Sequence, residues 1–379
     1  MKRKELTQDV KLIKKCRKTL IDLYSSDINK FIDIFFYEKG VKLENDSFQI
    51  LEQAGILRKE NKQWFANVMV FPFKGKLIVT DFLLSLYKKK NGKFTRGLDD
   101  VWVMFPHETL LFIDRLDDIK GKVALDMASG SGAISLFLAD RFEKVIASDI
   151  NPKAVKYARF NVVLNNLEGK ITNVQSDLFS ALKDIRFDYI CWNGPTVALP
   201  EVKEPEKVYP LYTYGGPDGA EFTKKFLDEV FTHVNDKFKI KWWDGSLGDS
   251  SQSVVEQYIR KNLSKFPIKV TIDFLNKRRG VPLREYDRLY KKYCLDKFDL
   301  NQGENGRTKI VEKWYEMLRR QKLLNVYISL ISIEPNNHFE VIYKETDKTY
   351  VGPRQVYGFE WHYTSRRFIT NYLRTNSGF

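Results

Sequence analysis

The sequence predicts an α/β chain: a doubly wound, Rossmann-like parallel sheet preceded by a smaller α+β module of winged-helix-like character. Three observations predict it. From residue 101 onward, short β-type runs alternate with helical segments. Before residue 95, three helical segments lead into two strand-forming runs joined by a Lys-Gly-Lys turn. Between them in character lies a glycine turn, Gly130-Ser-Gly132, set directly after a strand and before a helix, where open α/β sheets bind ligands.

The N-terminal stretch, 1–95, is read from its periodicity. Val10, Ile13, Cys16, Leu20, Ile21 and Tyr24 recur at helical spacing, and Ser25-Ser26-Asp27 breaks the chain and caps a second apolar helix ending near Gly40. A short helix over 46–54 leads to Gly55, and WFANVMVFPF and KLIVTDFLLSL follow as strands. Such a module reads nucleic acid in some proteins and in others serves as a substrate lid or packing domain. The polar run at 88–100 reads as a connection.

The second stretch, 96–335, holds VALDMA (123–128), KVIASDI (144–150), ITNVQSDL (171–178) and FDYICWNG (187–194), separated by helices of about 12–18 residues: the βαβα rhythm of a parallel sheet. An insertion with basic helical segments is expected near 240–322, and a C-terminal extension, 336–379, is expected to pack on the body. No internal repeat or low-complexity tract interrupts the chain.

Composition bounds the function. Of 379 residues 43% are hydrophobic and 14% aromatic, enough for a large core and against a disordered chain. No apolar run approaches the roughly 20 residues that span a bilayer, so no membrane role is expected. The basic N-terminus lacks the apolar stretch of a secretory signal. Cys16, Cys191 and Cys294 are odd in number and far apart, and with His233, His338 and His362 they show no metal-ligand spacing. A reducing, cytoplasmic setting without a metal is the expectation. The net charge of +14 raises nucleic acid as a partner, with denser basic stretches at 2–18 and about 260–322, yet lysines on a solvated surface account for it equally. Arg278, Arg279, Arg284 and Arg288 can grip an anion or form such a surface.

Four strand ends carry the chemistry. At Asp126-Met-Ala-Ser-Gly130-Ser-Gly132 the glycines permit a tight turn and a close approach of backbone N–H groups to a ligand. Asp149 ends the next strand and can accept both hydroxyls of a ribose, or cap the helix that starts at Asn151-Pro152. Asp177 can accept an adenine amino proton while Leu178 and Phe179 pack on the ring, or the segment is an ordinary turn. In Asn193-Gly194-Pro195-Thr196, the Asn193 amide oxygen and the Gly194 carbonyl can each accept a hydrogen from one –NH2 group and so aim its lone pair. Asn-Gly is also a common loop dipeptide. Trp242 and Trp243 either line an acceptor pocket or bury a loop.

At these positions the sequence resembles class I S-adenosylmethionine-dependent methyltransferases, in the branch of the release-factor glutamine methyltransferases and related "small methyltransferase" enzymes. VMFPHETLLFID (103–114) resembles the segment before that family's cofactor strand, NGPT stands where the family carries N-P-P-Y, and TYGGPDGAEFTKKFLDEV (213–230) resembles its L-x-G-G-x-D-G segment. The likeness runs over about 101–235 and returns at NVYISLISI, 325–333. It implies S-adenosylmethionine as cofactor, held by Asp126, Ala128, Gly130, Gly132, Asp149, Ile150, Asp177, Leu178, Phe179 and Asn193. It implies a catalytic turn of Asn193, Gly194 and Pro195, and an acceptor surface of Pro106, His107, Glu108, Thr109, Thr196, Trp242 and Trp243. Methylation of a nitrogen is expected, on a protein side chain or small metabolite, with an RNA base as the alternative. A nucleic-acid-binding protein on a relic methyltransferase fold is the reading from a different class. Three departures bear on the acceptor: Gly194 replaces the first proline, Thr196 the aromatic residue, and His107 an arginine.

Overall fold

The computed structural model describes residues 5–42, 48–82, 89–90, 93–94, 98–101, 108–275, 279–285, 303–345 and 366–379. Its N-terminal module opens with α1 (Val10–Ser26), α2 (Ile28–Phe35) and α3 (Phe48–Gln53). Asp27 ends α1 and caps α2, accepting from the backbone N–H groups of Asn29 and Lys30. Two antiparallel hairpins follow: β1 (Leu57–Glu60) with β2 (Gln63–Ala66), and β3 (Met69–Phe73) with β4 (Lys76–Thr80). The sequence reading makes WFANVMVFPF one strand, and the structure divides it at Asn67. That side chain is buried, and its Nδ2 donates to the carbonyls of Gly55 and Leu57, so the backbone turns around it. The β1–β2 hairpin escapes the sequence reading because its turn, Asn61-Lys62, holds both residues at positive φ without a glycine.

Two-residue strands β5 (Lys89–Lys90) and β6 (Lys93–Phe94) pair within the stretch read as a connection. Then come α4 (Glu108–Asp114), β7 (Gly121–Met127), α5 (Ala133–Leu138), β8 (Phe142–Asp149), α6 (Pro152–Leu164), β9 (Ile171–Gln175) and β10 (Phe187–Trp192). They are followed by α7 (Pro205–Val208), α8 (Glu221–Glu229), β11 (Val234–Asp244), β12 (Leu247–Gly248), α9 (Val254–Asn262) and β13 (Ile268–Phe274). The chain continues through β14 (Val281–Pro282), α10 (Gly303–Arg320), β15 (Asn325–Val326), β16 (Ser329–Pro335), β17 (Glu340–Glu345) and α11 (Arg366–Asn376). The main sheet has eight strands in the order β17-β13-β16-β11-β10-β7-β8-β9. β9, β8, β7, β10 and β11 run parallel, and β16 is antiparallel to β11 and β13. This is the doubly wound α/β sheet that the alternation predicts, although its helices α5, α8 and α9 have only six to nine residues, shorter than expected.

The expected insertion begins too early. Residues 240–274 supply the end of β11, helix α9 and the whole of β13, which belong to the main sheet. IKVTIDF alternates buried and half-buried positions, but Lys269 and the basic residues of α9 disguise it as a basic helical run. The sheet also passes residue 335, since β17 pairs with β13. The C-terminal α11 docks on the N-terminal module: Tyr24 Oη donates to the Leu373 carbonyl, and Lys74 and Gly75 N–H donate to the carbonyls of Asn376 and Ser377. No helix among the described residues is long and apolar enough to cross a membrane.

Candidate active site

Parallel pairing brings the four motifs to one edge. Cys191 pairs with Asp126 and Trp192 with Met127, so Asn193 emerges one strand from Ala128, about 4.8 Å away in the pairing direction. Ser148 pairs with Met127 and Asp149 with Gln175, which sets Asp149 and Asp177 on the other side of the same loop.

Asp126 does not face that edge. It is fully buried; its Oδ2 accepts from Ser135 N at 2.9 Å and Ser135 Oγ at 2.5 Å, and Cys191 Sγ donates to its Oδ1 at 3.7 Å. Burial pushes its carboxyl up to about 7 against the opposing pull of Ser135. Asp126 therefore ties the loop to α5, and the expected ligand contact is corrected to a structural one. The loop alternates into the left-handed region at Ala128 (φ 56°), Gly130 (φ 55°) and Gly132 (φ 75°). Its two glycines serve different ends. A Cβ on Gly132 would meet Ala158 Cβ at 3.0 Å, so α6 packs hard against it, whereas a Cβ on Gly130 would meet nothing within 4 Å. Gly130 is the open face.

Asp149 is half-buried. Its Oδ2 accepts from Gly130 N at 2.7 Å and its Oδ1 from Asn151 N at 2.9 Å. The capping role proposed for it belongs to Asn151, whose Oδ1 accepts from Lys153 N at the start of α6. Burial raises the Asp149 carboxyl, and the backbone N–H groups oppose that shift. A carboxylate accepts about four hydrogen bonds, and with the Ile150 N–H also turned to Asp149 the acid keeps spare acceptor capacity for a ligand hydroxyl. Beside it Ile150 is 50% exposed, an apolar side chain half open to solvent. Asp177 is exposed, and Leu178 is half-buried in a left-handed turn (φ 45°). Phe179 differs from expectation: it is buried with His233 stacked on it at 4.2 Å and Phe226 at 5.9 Å, so its faces are taken and it is core, not an adenine platform.

At the fourth strand end, the amide of Asn193 is polarised by its neighbours. Nδ2 donates to Thr109 Oγ1 at 3.5 Å and is bonded to Glu108, while Oδ1 is buried with no partner among the described residues. Burial pushes Glu108 up to about 7, and the Asn193 bond pulls it back. Gly194 is explained by its predecessor. A Cβ there would lie 1.6 Å from Trp192 Nε1, so the Trp192 ring occupies the space that any other residue, proline included, would need. Pro195 is half-buried, and its carbonyl lies 3.0 Å from where a Gly215 Cβ would stand.

The rest of the expected acceptor surface does not assemble as foreseen. Thr196 is buried, with Cβ positions on Gly215, Gly219 and Gly245 all within 2.7 Å of its atoms, so it is packed beneath those turns. Trp242 and Trp243 lie in β11 and are 1% and 4% exposed, which makes them sheet core and not pocket walls. Pro106 and His107 lie outside the described residues, as do Cys294, His362, Arg278 and Arg288. His233 is structural, its ring stacked on Phe179 and its Nδ1 3.2 Å from the Ile185 carbonyl.

An S-adenosyl group fits what is present. An open Gly130 face, an apolar Ile150 half open to solvent, a carboxylate with spare acceptor capacity and an exposed Asp177 lie along one edge, and the orphaned Asn193 oxygen stands at its end. The doubly wound sheet and this edge define a Rossmann-like class I methyltransferase fold. The methyltransferase small domain family matches residues 104–204. The release factor glutamine methyltransferase of Rhodopirellula baltica is 35% identical over 153 residues, covering 36% of this chain and 52% of that protein. A putative protein N5-glutamine methyltransferase of Methanocaldococcus jannaschii is 30% identical over 148 residues, 39% of this chain and 74% of that protein. Among solved structures, a tRNA m1G37 methyltransferase of M. jannaschii aligns with 71% of this chain at a TM-score of 0.39 and 16% identity. The chain belongs to the small-domain class I S-adenosylmethionine-dependent methyltransferases, in the branch that holds these glutamine methyltransferases. It spans about half the length of the Rhodopirellula protein, 52%.

Proposed function

We propose that the protein methylates a nitrogen of a protein side chain, most simply a carboxamide, with S-adenosylmethionine as donor. One observation carries the reading. The Asn193 amide is held through its nitrogen by Glu108 and Thr109, which leaves its oxygen, buried and without a partner among the described residues, as an acceptor for a substrate N–H. S-adenosylmethionine supplies an electrophilic methyl on a sulfonium, which departs as a neutral thioether. Asp149 holds the ribose hydroxyls, Gly130 admits the amino-acid portion, and Asp177 with Leu178 and Ile150 borders the adenine. Asn193 Oδ1 and the Gly194 carbonyl accept the two hydrogens of the –NH2 group. That would fix the plane of the nitrogen and turn its lone pair toward the methyl; the N–CH3 bond would form as the S–CH3 bond breaks and one nitrogen-bound proton would pass to water, so orientation serves without a strong base. When ionised, Glu108 keeps the Asn193 amide from flipping, because the reverse orientation would set two acceptor oxygens against each other. A cytoplasmic setting suits the reading, since Cys16 and Cys191 are buried free thiols.

Radiolabelled S-adenosylmethionine incubated with the protein and fractionated cell extract tests it. Label is expected in a protein fraction, stable to mild base and located by mass on a side-chain nitrogen. Asn193→Ala is expected to bind the donor as the wild type does and to lose about a hundredfold or more in turnover. Label on RNA or on a carboxylate oxygen, or full turnover by Asn193→Ala, would overturn the proposal.

A further inference from the structure

Helix α6 acts as a polar edge for strand β4. Asn165 Oδ1 accepts from Leu77 N at 2.9 Å and its Nδ2 donates to Leu77 O at 2.8 Å. One turn earlier, Asn161 Oδ1 accepts from Val79 N at 2.8 Å and its Nδ2 donates to Val79 O at 2.9 Å. Another turn earlier, Tyr157 Oη donates to Asp81 Oδ1 at 2.8 Å. The match is metrical. Two residues of strand advance about 6.7 Å and four residues of helix about 6 Å, so residues 77, 79 and 81 meet 165, 161 and 157 in step. The helix thereby satisfies a strand edge that would otherwise be buried unpaired.

The two asparagines spend their second N–H differently. Asn165 donates it back to the Asn161 carbonyl within α6, at 2.8 Å. Asn161, which is fully buried, donates it to the carbonyl of Ser131 at 2.9 Å. Ser131 lies between Gly130, which faces Asp149, and Gly132, which abuts Ala158 on the same helix. One amide thus joins the N-terminal hairpin, α6 and the donor loop.

We infer that Asn161 is a positioning residue for the methyl donor: through the Ser131 carbonyl it sets the loop Ala128–Gly132, and it makes that setting depend on the docking of β3–β4. The inference rests on the reading of this loop as the donor site. Asn165 is its internal control, since it docks the same strand and does not touch the loop. Calorimetry with S-adenosylmethionine and thermal melts on the full chain separate the two. Asn161→Ala and Asn165→Ala should both melt earlier than the wild type, because each gives up a pair of bonds to β4. Only Asn161→Ala should weaken donor binding, by about tenfold, the scale of one lost hydrogen bond. Unchanged affinity in Asn161→Ala, or an equal loss in both variants, would overturn the inference. Amide exchange at Ser129 and Gly132 gives a readout without ligand: it should quicken in Asn161→Ala and hold in Asn165→Ala. A wild type that binds no S-adenosylmethionine sinks the functional reading, while the exchange result still decides the link. Should Asn161→Ala fail to fold, Asn161→Ser is expected to show the same split, and its absence overturns the inference equally.

Discussion

The two halves of the sheet edge are built on opposite plans. On the donor side the acid at the strand end is paired and the space in front of the loop is open: Asp149 accepts from the N–H groups of Gly130 and Asn151, and a Cβ on Gly130 would meet nothing within 4 Å, although Ser129 Oγ and Ser148 Oγ are buried without partners among the described residues. On the acceptor side, space is filled and polar atoms are left over. Trp192 presses on Gly194, Thr196 is buried, and Trp192 Nε1, Asn193 Oδ1, Thr213 Oγ1, Trp242 Nε1 and Asp244 Oδ2 are buried without partners among the described residues. A leftover buried polar atom costs free energy unless something meets it. The donor side is an open cradle, whereas the acceptor side is closely filled and leaves buried polar atoms for an arriving group to meet.

That contrast is broken most forcefully at Asp149. Removing it with Asp149→Ala takes away both the proposed acceptor of ribose hydroxyls and the anchor of Gly130 N. Two hydrogen bonds to a charged group are worth about 3 kcal/mol together, so donor affinity should fall roughly a hundredfold. Calorimetry reads this directly, and a loss under about threefold would mean that the carboxylate merely braces the loop. Gly194→Ala attacks the other side. Its Cβ would stand 1.6 Å from Trp192 Nε1, and overpacking of a filled core costs about 1–3 kcal/mol. A melt should show that loss, and Trp192→Leu in the same chain should recover part of it by clearing the ring. If Gly194→Ala melts with the wild type, the glycine is not there for the tryptophan.

How much of this was legible follows the same divide. Asp149, Gly130 and Asp177 were readable because a parallel sheet converts fixed sequence spacing into fixed position at its edge. Asp126 and Phe179 were readable as motif members but not as core: an acid at a strand end faces the ligand or the next helix according to which way the pleat turns it, and here Ser135 and His233 claim them. The departures at 194 and 196 were legible only as departures, because their compensation is spatial. Nothing adjacent in sequence announces that the ring of Trp192 will lie over Gly194 or that three glycine turns will cover Thr196. The Trp242-Trp243 pair fits a strand as well as a pocket, and β11 took it. Asn161 and Asn165 carried a signal that was missed, two amides one turn apart on an otherwise apolar helix face. The docked hairpin is what made sense of them.

The smallest effect compares the two buried acids, one on each side. Asp126 is pushed up to about 7 and Asp244 to about 6, in each case by burial, with nearby serines pulling the other way. In the unfolded chain both ionise near an ordinary value of about 3.9. Between that value and the folded one the native state holds the extra proton, so stability is greatest at low pH and declines as pH rises through about 6 and then about 7. The two differ in what surrounds the charge. Asp126 Oδ2 accepts two bonds from Ser135, whereas Asp244 Oδ2 accepts none among the described residues. Asn therefore replaces Asp more safely at 244, where the change removes a charge without orphaning a donor at that oxygen. Asp244→Asn should melt later than the wild type above about pH 6 and approach it toward pH 4.5, flattening the slope across that window. Asp126→Asn can keep both Ser135 bonds at one oxygen but sets an N–H against the Cys191 S–H at the other, so its gain above about pH 7 should be smaller than that of Asp244→Asn. Melts of both variants from pH 4.5 to 8 check the contrast, and an Asp244→Asn slope parallel to the wild type would show that the acceptor-side acid is neutralised by a partner of its own.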